Sequence, residues 1–141
     1  MTIQQGQCTI FKQNCLSGKE NFTSTGTTYV YKIALYTANA DLSYATTAYT
    51  TSNEVIGTGY TAGGEILTPT VPASLNKTAY VSFANVTWNP ASFTCRGALI
   101  YNYTTGAAVA VLDFGSDKIA TSAFTVTFPT NTDTTAILRL T

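Results

Sequence analysis

One stretch constrains this chain more than any other. It runs Cys95-Arg96-Gly97-Ala98-Leu99-Ile100-Tyr101-Asn102-Tyr103-Thr104-Thr105-Gly106-Ala107-Ala108-Val109-Ala110-Val111-Leu112-Asp113-Phe114-Gly115. It is the longest apolar run, and it breaks once, at Thr104-Thr105-Gly106. Two strand-length segments joined by a short loop containing glycine read as a β-hairpin. Few polar residues interrupt either arm, so both faces are expected to be covered, as in the middle of a sandwich. If the arms pair about that turn, Arg96 and Asp113 fall roughly opposite each other. They are a candidate structural ion pair.

The remaining chain adds strands and little helix. Tyr29, Tyr31, Ile33 and Leu35 alternate with Val30, Lys32, Ala34 and Tyr36, which is strand periodicity. Glu65-Ile66-Leu67-Thr68 is a short strand ended by Pro69 and Pro72, because proline has no N–H for a central ladder. Ala79-Tyr80-Val81-Ser82-Phe83, Asn85-Val86-Thr87-Trp88, Phe124-Thr125-Val126-Thr127-Phe128 and Ala136-Ile137-Leu138-Arg139-Leu140 continue the series, with Trp88 as a core anchor. Gly115-Ser116-Asp117-Lys118 reads as the loop after the hairpin. Phe11-Lys12-Gln13-Asn14-Cys15-Leu16 has apolar residues at four-residue spacing, enough for a short helix that Ser17-Gly18 ends. The expectation is an all-β chain, an antiparallel β-sandwich of jelly-roll-like or immunoglobulin-like topology with one short N-terminal helix. Residues 11–141 form the single domain, and residues 1–10 precede it as an N-terminal arm or edge strand.

The residues offer little for catalysis. There is no histidine, so the usual general base is missing, and neither serine nor cysteine has a visible base partner. Cys8, Cys15 and Cys95 form no CxxC pair, which argues against zinc. Cys95 reads as a small buried hydrophobe, and the spacing leaves a Cys8–Cys15 bridge open. Asp113 and Asp117 beside Lys118 show no pocket that would set their protonation states apart, so they read as turn chemistry. Gly57-Thr58-Gly59 and Gly63-Gly64 are followed by no helix pattern and no Lys-Ser or Lys-Thr pair. They read as tight turns or a bulge rather than a phosphate loop. No catalytic residue, cofactor or metal is expected.

Charge narrows the partners. Seven basic residues are scattered and the net charge is zero, which argues against nucleic acid. No apolar run reaches the roughly 18 residues of a membrane helix. Met1-Thr2-Ile3-Gln4-Gln5-Gly6-Gln7 lacks the basic and apolar regions of a signal peptide. Only 10% of residues are charged, against about a quarter in ordinary domains, and such a surface tends to associate. The long irregular stretch over residues 37–60, anchored by Leu42, Tyr44 and Tyr49, has the length of a functional or interfacial loop.

Four patches together carry a resemblance. They are Phe11-Lys12 through Leu16, Gly18 and Phe22; Tyr31-Lys32-Ile33-Ala34-Leu35-Tyr36-Thr37; Glu54-Val55-Ile56-Gly57-Thr58-Gly59-Tyr60-Thr61-Ala62-Gly63-Gly64; and Trp88 with Phe93-Thr94-Cys95-Arg96-Gly97-Ala98-Leu99-Ile100-Tyr101-Asn102 and Ala108-Val109-Ala110-Val111-Leu112-Asp113-Phe114-Gly115. The chain resembles a family of small virion structural proteins of tailed bacteriophages, found beside head and neck components. The resemblance implies a non-enzymatic building block made in the host cytoplasm. A capsid cement or decoration protein on the capsid exterior fits best, with the major capsid protein and further copies of itself as partners. On that reading residues 1–10 and the loop over residues 37–60 make the contacts, with Ile3, Ile10, Leu42, Tyr44 and Tyr49 as candidate interface residues. The rival roles are a fibre-type module binding host glycans through Tyr36, Tyr44, Tyr49 and Tyr60, and a neck or tail-completion protein.

Overall fold

The computed structural model describes residues 2–23 and 28–141. Among these residues, three antiparallel sheets and one short helix make up the regular structure, an all-β, sandwich-like fold. In chain order the elements are β1 (Gly6–Gln7), α1 (Thr9–Leu16), β2 (Tyr31–Tyr36), β3 (Glu65–Leu67), β4 (Ala73–Leu75), β5 (Thr78–Val81), β6 (Val86–Trp88), β7 (Phe93–Asn102), β8 (Ala108–Ala120), β9 (Phe124–Val126) and β10 (Leu138–Leu140). The largest sheet has the order β1-β8-β7-β2-β3; the others are β10-β5-β4 and β6-β9.

The apolar hairpin forms as expected and lies inside the large sheet. β7 pairs with β8 on one side and β2 on the other, with Leu99 opposite both Val111 and Ala34. Ala98, Leu99, Ile100, Val109 and Val111 are fully buried. Each large aliphatic side chain removed from water stabilises the fold by about 1.5–3 kcal/mol. β8 runs further than its sequence suggests, because the expected loop at Gly115-Ser116-Asp117-Lys118 lies within the strand. Cys95 pairs with Lys118 and Gly97 with Asp113, so the four residues 114–117 bulge against Arg96 alone. The Gly115 N–H donates to Asp113 Oδ1 (2.8 Å), so a local side-chain bond serves the bulge.

Residues 3–10, set apart by their sequence as an arm, are docked on the large sheet; Met1 lies outside the described residues. Ile3 pairs with Leu42, and β1 pairs with β8 at the sheet edge. Cys8 is the N-cap of α1, which starts two residues earlier than its apolar spacing suggests and ends before Gly18 at φ +72°. All three cysteines are free thiols.

Aromatic contacts join the layers. Phe22 stacks on Tyr31 of β2 at 4.4 Å and meets Phe83 edge-on at 6.1 Å; Phe83 then meets Phe128. Phe93 of β7 meets Phe124 of β9, which lies 6.0 Å from Trp88. Trp88 is buried, as expected of the lone tryptophan. On β2, Tyr31, Ile33 and Leu35 face one way and Lys32, Ala34 and Tyr36 the other, and all but Lys32 are buried. Tyr101, opposite Lys32, stacks on Tyr49 at 4.6 Å, so the loop over residues 37–60 covers that face.

Candidate functional site

That loop carries a polar cluster centred on Glu54. Glu54 is buried and pairs with Tyr36 at the end of β2. Its Oε1 accepts the Tyr49 hydroxyl, and its Oε2 accepts the Tyr60 hydroxyl and the Gly63 N–H, the latter at 2.8 Å. The Tyr60 hydroxyl also accepts the Leu35 N–H (2.9 Å). Tyr101 donates to Gly63 O (2.6 Å) and Tyr36 to Thr50 O (2.6 Å). Glu54 and each of the four phenols in this cluster are hydrogen-bonded to another part of the chain. The cluster ties an irregular loop to the sheet.

A second carboxyl lies beside α1. Glu20 Oε1 accepts the Tyr31 hydroxyl (3.0 Å) and the Asn102 amide (2.9 Å). Burial pushes the Glu20 carboxyl upward, while hydrogen bonds from Asn102, Tyr31 and, more weakly, Asn14 pull it down. The thiols are poor nucleophiles for the same reason. Burial raises Cys8 and Cys15 to about 11 and Cys95 to about 12. Among the described residues, no group of three or more cysteine, aspartate or glutamate side chains could hold a metal ion.

Burial likewise raises Tyr31, Tyr36, Tyr49 and Tyr60 well above the usual phenol range, and Tyr101 to about 12. A raised folded value means the contribution to stability is complete below the unfolded value of about 10 and is lost as pH climbs through the folded value. These five phenols are expected to ionise only as the chain unfolds. Absorbance at the phenolate band and near-UV dichroism should therefore change together on alkaline titration. Smooth ionisation of all tyrosines near pH 10, with the fold intact, would contradict the network.

The structure sorts the five candidate interface residues. Leu42 is 2% exposed and so belongs to the core, not to an outer contact surface. A long loop without strands of its own must bury its apolar anchors to be held, and Leu42 is one of them. Ile3 and Ile10 are half-buried against the core, with Ile3 methyls packed where Gly97 has no side chain. Tyr49 is held by Glu54 and Tyr101. Only Tyr44 is open, at 64%. Of the four tyrosines a glycan site would need, Tyr36 is fully buried and Tyr49 and Tyr60 are bound to Glu54. The most exposed large apolar residues are others: Leu16, Ile56, Val71 and Ile119. Leu16 stands at the helix end, Ile56 before Gly57 and Val71 between two prolines, where no periodic pattern marks a side chain as inward or outward.

Arg96 and Asp113 do meet, with Nε 3.9 Å from Oδ1, and Arg96 Nη1 is also 3.9 Å from Asp117 Oδ1. All three side chains are at least a third exposed, so water screens the pair. The expected coupling in a double-mutant cycle of Asp113→Asn and Arg96→Gln is below about 1 kcal/mol and falls with salt. A coupling above about 2 kcal/mol would show that the pair is far better shielded than its exposure indicates.

Comparison with family models, curated proteins and solved structures finds no match for this chain.

Proposed function

We propose that this chain is a non-enzymatic structural protein of a tailed-bacteriophage virion, a cement or decoration protein that binds the major capsid protein lattice on the capsid exterior. The observation that carries the reading is where apolar side chains remain open: Leu16 at 92%, Ile56 at 96% and Val71 at 81%. They sit on the end of α1, the long loop and the connection before β4. Single exposed apolar residues are common on any protein. Here they lie on a chain with zero net charge and 10% charged residues, a surface that tends to associate. The polar interior supports the same reading, since its carboxyls and phenols are spent on internal bonds. The open edges of β3 and β4 can add to a neighbour's sheet through backbone hydrogen bonds. The resemblance to phage virion proteins supplies the partner, and repeated weak contacts on a lattice supply avidity.

Quantitative gel analysis of purified virions tests this. A cement protein is expected in numbers comparable to the major capsid protein. A count of about a dozen or fewer, the size of a portal-type ring, would overturn the cement reading in favour of a neck or tail-completion role.

A further inference from the structure

β4 lies open along its outer side. Residues 71–77 are exposed without a break, and no charged residue stands between Ile66 and Asn76. Among the described residues, β4 ends the three-stranded sheet with no strand beyond it. The turn that follows sets its hydrogen-bonding directions. Leu75 and Thr78 close the two-residue turn Asn76-Lys77, where Asn76 takes φ +55°. The closing pair of such a hairpin exchanges both backbone bonds, and so does Ala73 with Tyr80; Ser74, between them, turns its N–H and C=O away from β5. The Thr70 N–H donates to Ser82 O, which keeps the same alternation along β5. Other edges offer less. On β3 the Thr68 carbonyl already accepts the Ala84 N–H, and past its bulge β8 carries Asp117 and Lys118, charges that guard an edge.

We propose that β4 pairs with β4 of a second copy of this chain, antiparallel about a two-fold axis through Ser74, so that the sheet β10-β5-β4 of one copy continues into β4-β5-β10 of the other. The occupant is a second copy because the edge complements itself. Ser74 meets Ser74 and the two exchange both outward backbone bonds. Leu75 falls opposite Ala73 of the second copy, and Ala73 opposite its Leu75, large against small on both sides of the axis. No like charges meet, since the first charged residue, Lys77, lies past the end of the strand. A two-fold contact uses the same patch on both copies and closes on itself. Pro72, which has no N–H, and the turn at Asn76-Lys77 bound the edge at either end, so the contact does not grow along the chain. An edge of 3 residues buries far less than the roughly 1,200 Å² of a stable interface, so free copies pair weakly, with Kd about 1 mM. Copies already held side by side pair far more readily. The pairing rests on the open β4 edge of the proposed function, and not on the capsid, because it belongs to the isolated chain.

Amide-resolved NMR of the full chain, diluted from about 3 mM to about 0.05 mM, tests it. The amides of Ala73, Ser74 and Leu75 are expected to shift with concentration, with the half-change near about 1 mM. In a mixture of labelled and unlabelled chain, the Leu75 methyls should show a cross-peak to Ala73 of the other copy. Ser74→Pro removes an N–H that faces away from β5, a place where an edge strand tolerates proline. It should keep its melting temperature and weaken the pairing at least about tenfold. Leu75→Lys changes an exposed side chain and sets a charge at the axis, so it should weaken the pairing in a folded protein even if Ser74→Pro does not fold. Shifts that do not depend on concentration would overturn the proposal. So would self-association that maps to another edge, or that survives Leu75→Lys unchanged. A low virion count with the β4 shifts present sinks the cement reading alone; a high count without them sinks the pairing alone.

Discussion

Replacing Gly64 with alanine is expected to leave no folded protein. Gly64 has φ +79°, and a Cβ built there would lie 1.7 Å from Ile33 O and 2.9 Å from Ala34 Cα. Both neighbours are backbone of β2, which is hydrogen-bonded on each side, to β7 and to β3. A side-chain end could swing away; a strand held in two ladders cannot. The left-handed backbone adds about 1–2 kcal/mol to that overlap. The total exceeds the roughly 4 kcal/mol that marks the extreme of single substitutions, a large share of a small domain's stability. Gly6→Ala is the control, because nothing lies within 4 Å of its new Cβ. Circular dichroism and soluble yield should show Gly6→Ala near wild type and Gly64→Ala unfolded. A Gly64→Ala protein that melts close to wild type would mean that the loop does not approach β2 this closely.

Glu54→Ala is expected to cost about 3–5 kcal/mol in urea unfolding. Two phenols and one backbone N–H lose their acceptor at once, in a loop that has no named strand of its own. Tyr49→Phe removes one bond from a half-buried ring and should cost about 1 kcal/mol. Tyr60→Phe should cost more, about 2–3 kcal/mol, since it takes one of two donors from Glu54 Oε2 and leaves the Leu35 N–H without its acceptor. The order of the three variants is the diagnostic. If Glu54→Ala stays within about 1 kcal/mol of wild type, the carboxyl is not what holds the loop down.

How much of this was legible in the sequence depends on the range of the interaction. The hairpin, the strand at Tyr31–Tyr36 and the strand end before Pro69 follow from local periodicity and from proline's missing N–H. The short strand β4 was hidden, since Ala73-Ser74-Leu75 is exposed throughout and shows no alternation. The glycines at residues 57–64 carry a turn signal, and turns are there. Their second purpose, letting the loop touch the backbone of Ile33, Pro90 and Ser92, depends on strands far away in sequence. The Glu54 cluster has no sequence signature for the same reason. Residues 49, 54, 60 and 63 have no common period; the path of the loop alone brings them together. Leu42 and Tyr49 looked like contact residues because a polar loop does not announce which face of it is inward.

The four-against-one bulge in the hairpin has a consequence for length. Register is normally unforgiving, because one inserted residue turns every later side chain to the wrong face. Between Asp113 and Lys118 that coupling is interrupted, and the ladders at Gly97–Ile100 and at Phe93–Cys95 are set independently. The segment acts as slack in an otherwise taut strand pair. A graft at Gly115-Ser116, both exposed at this point of the sheet, would be taken up by the loop of the bulge and leave both ladders in register. That makes the bulge the natural place in this fold to carry a foreign peptide.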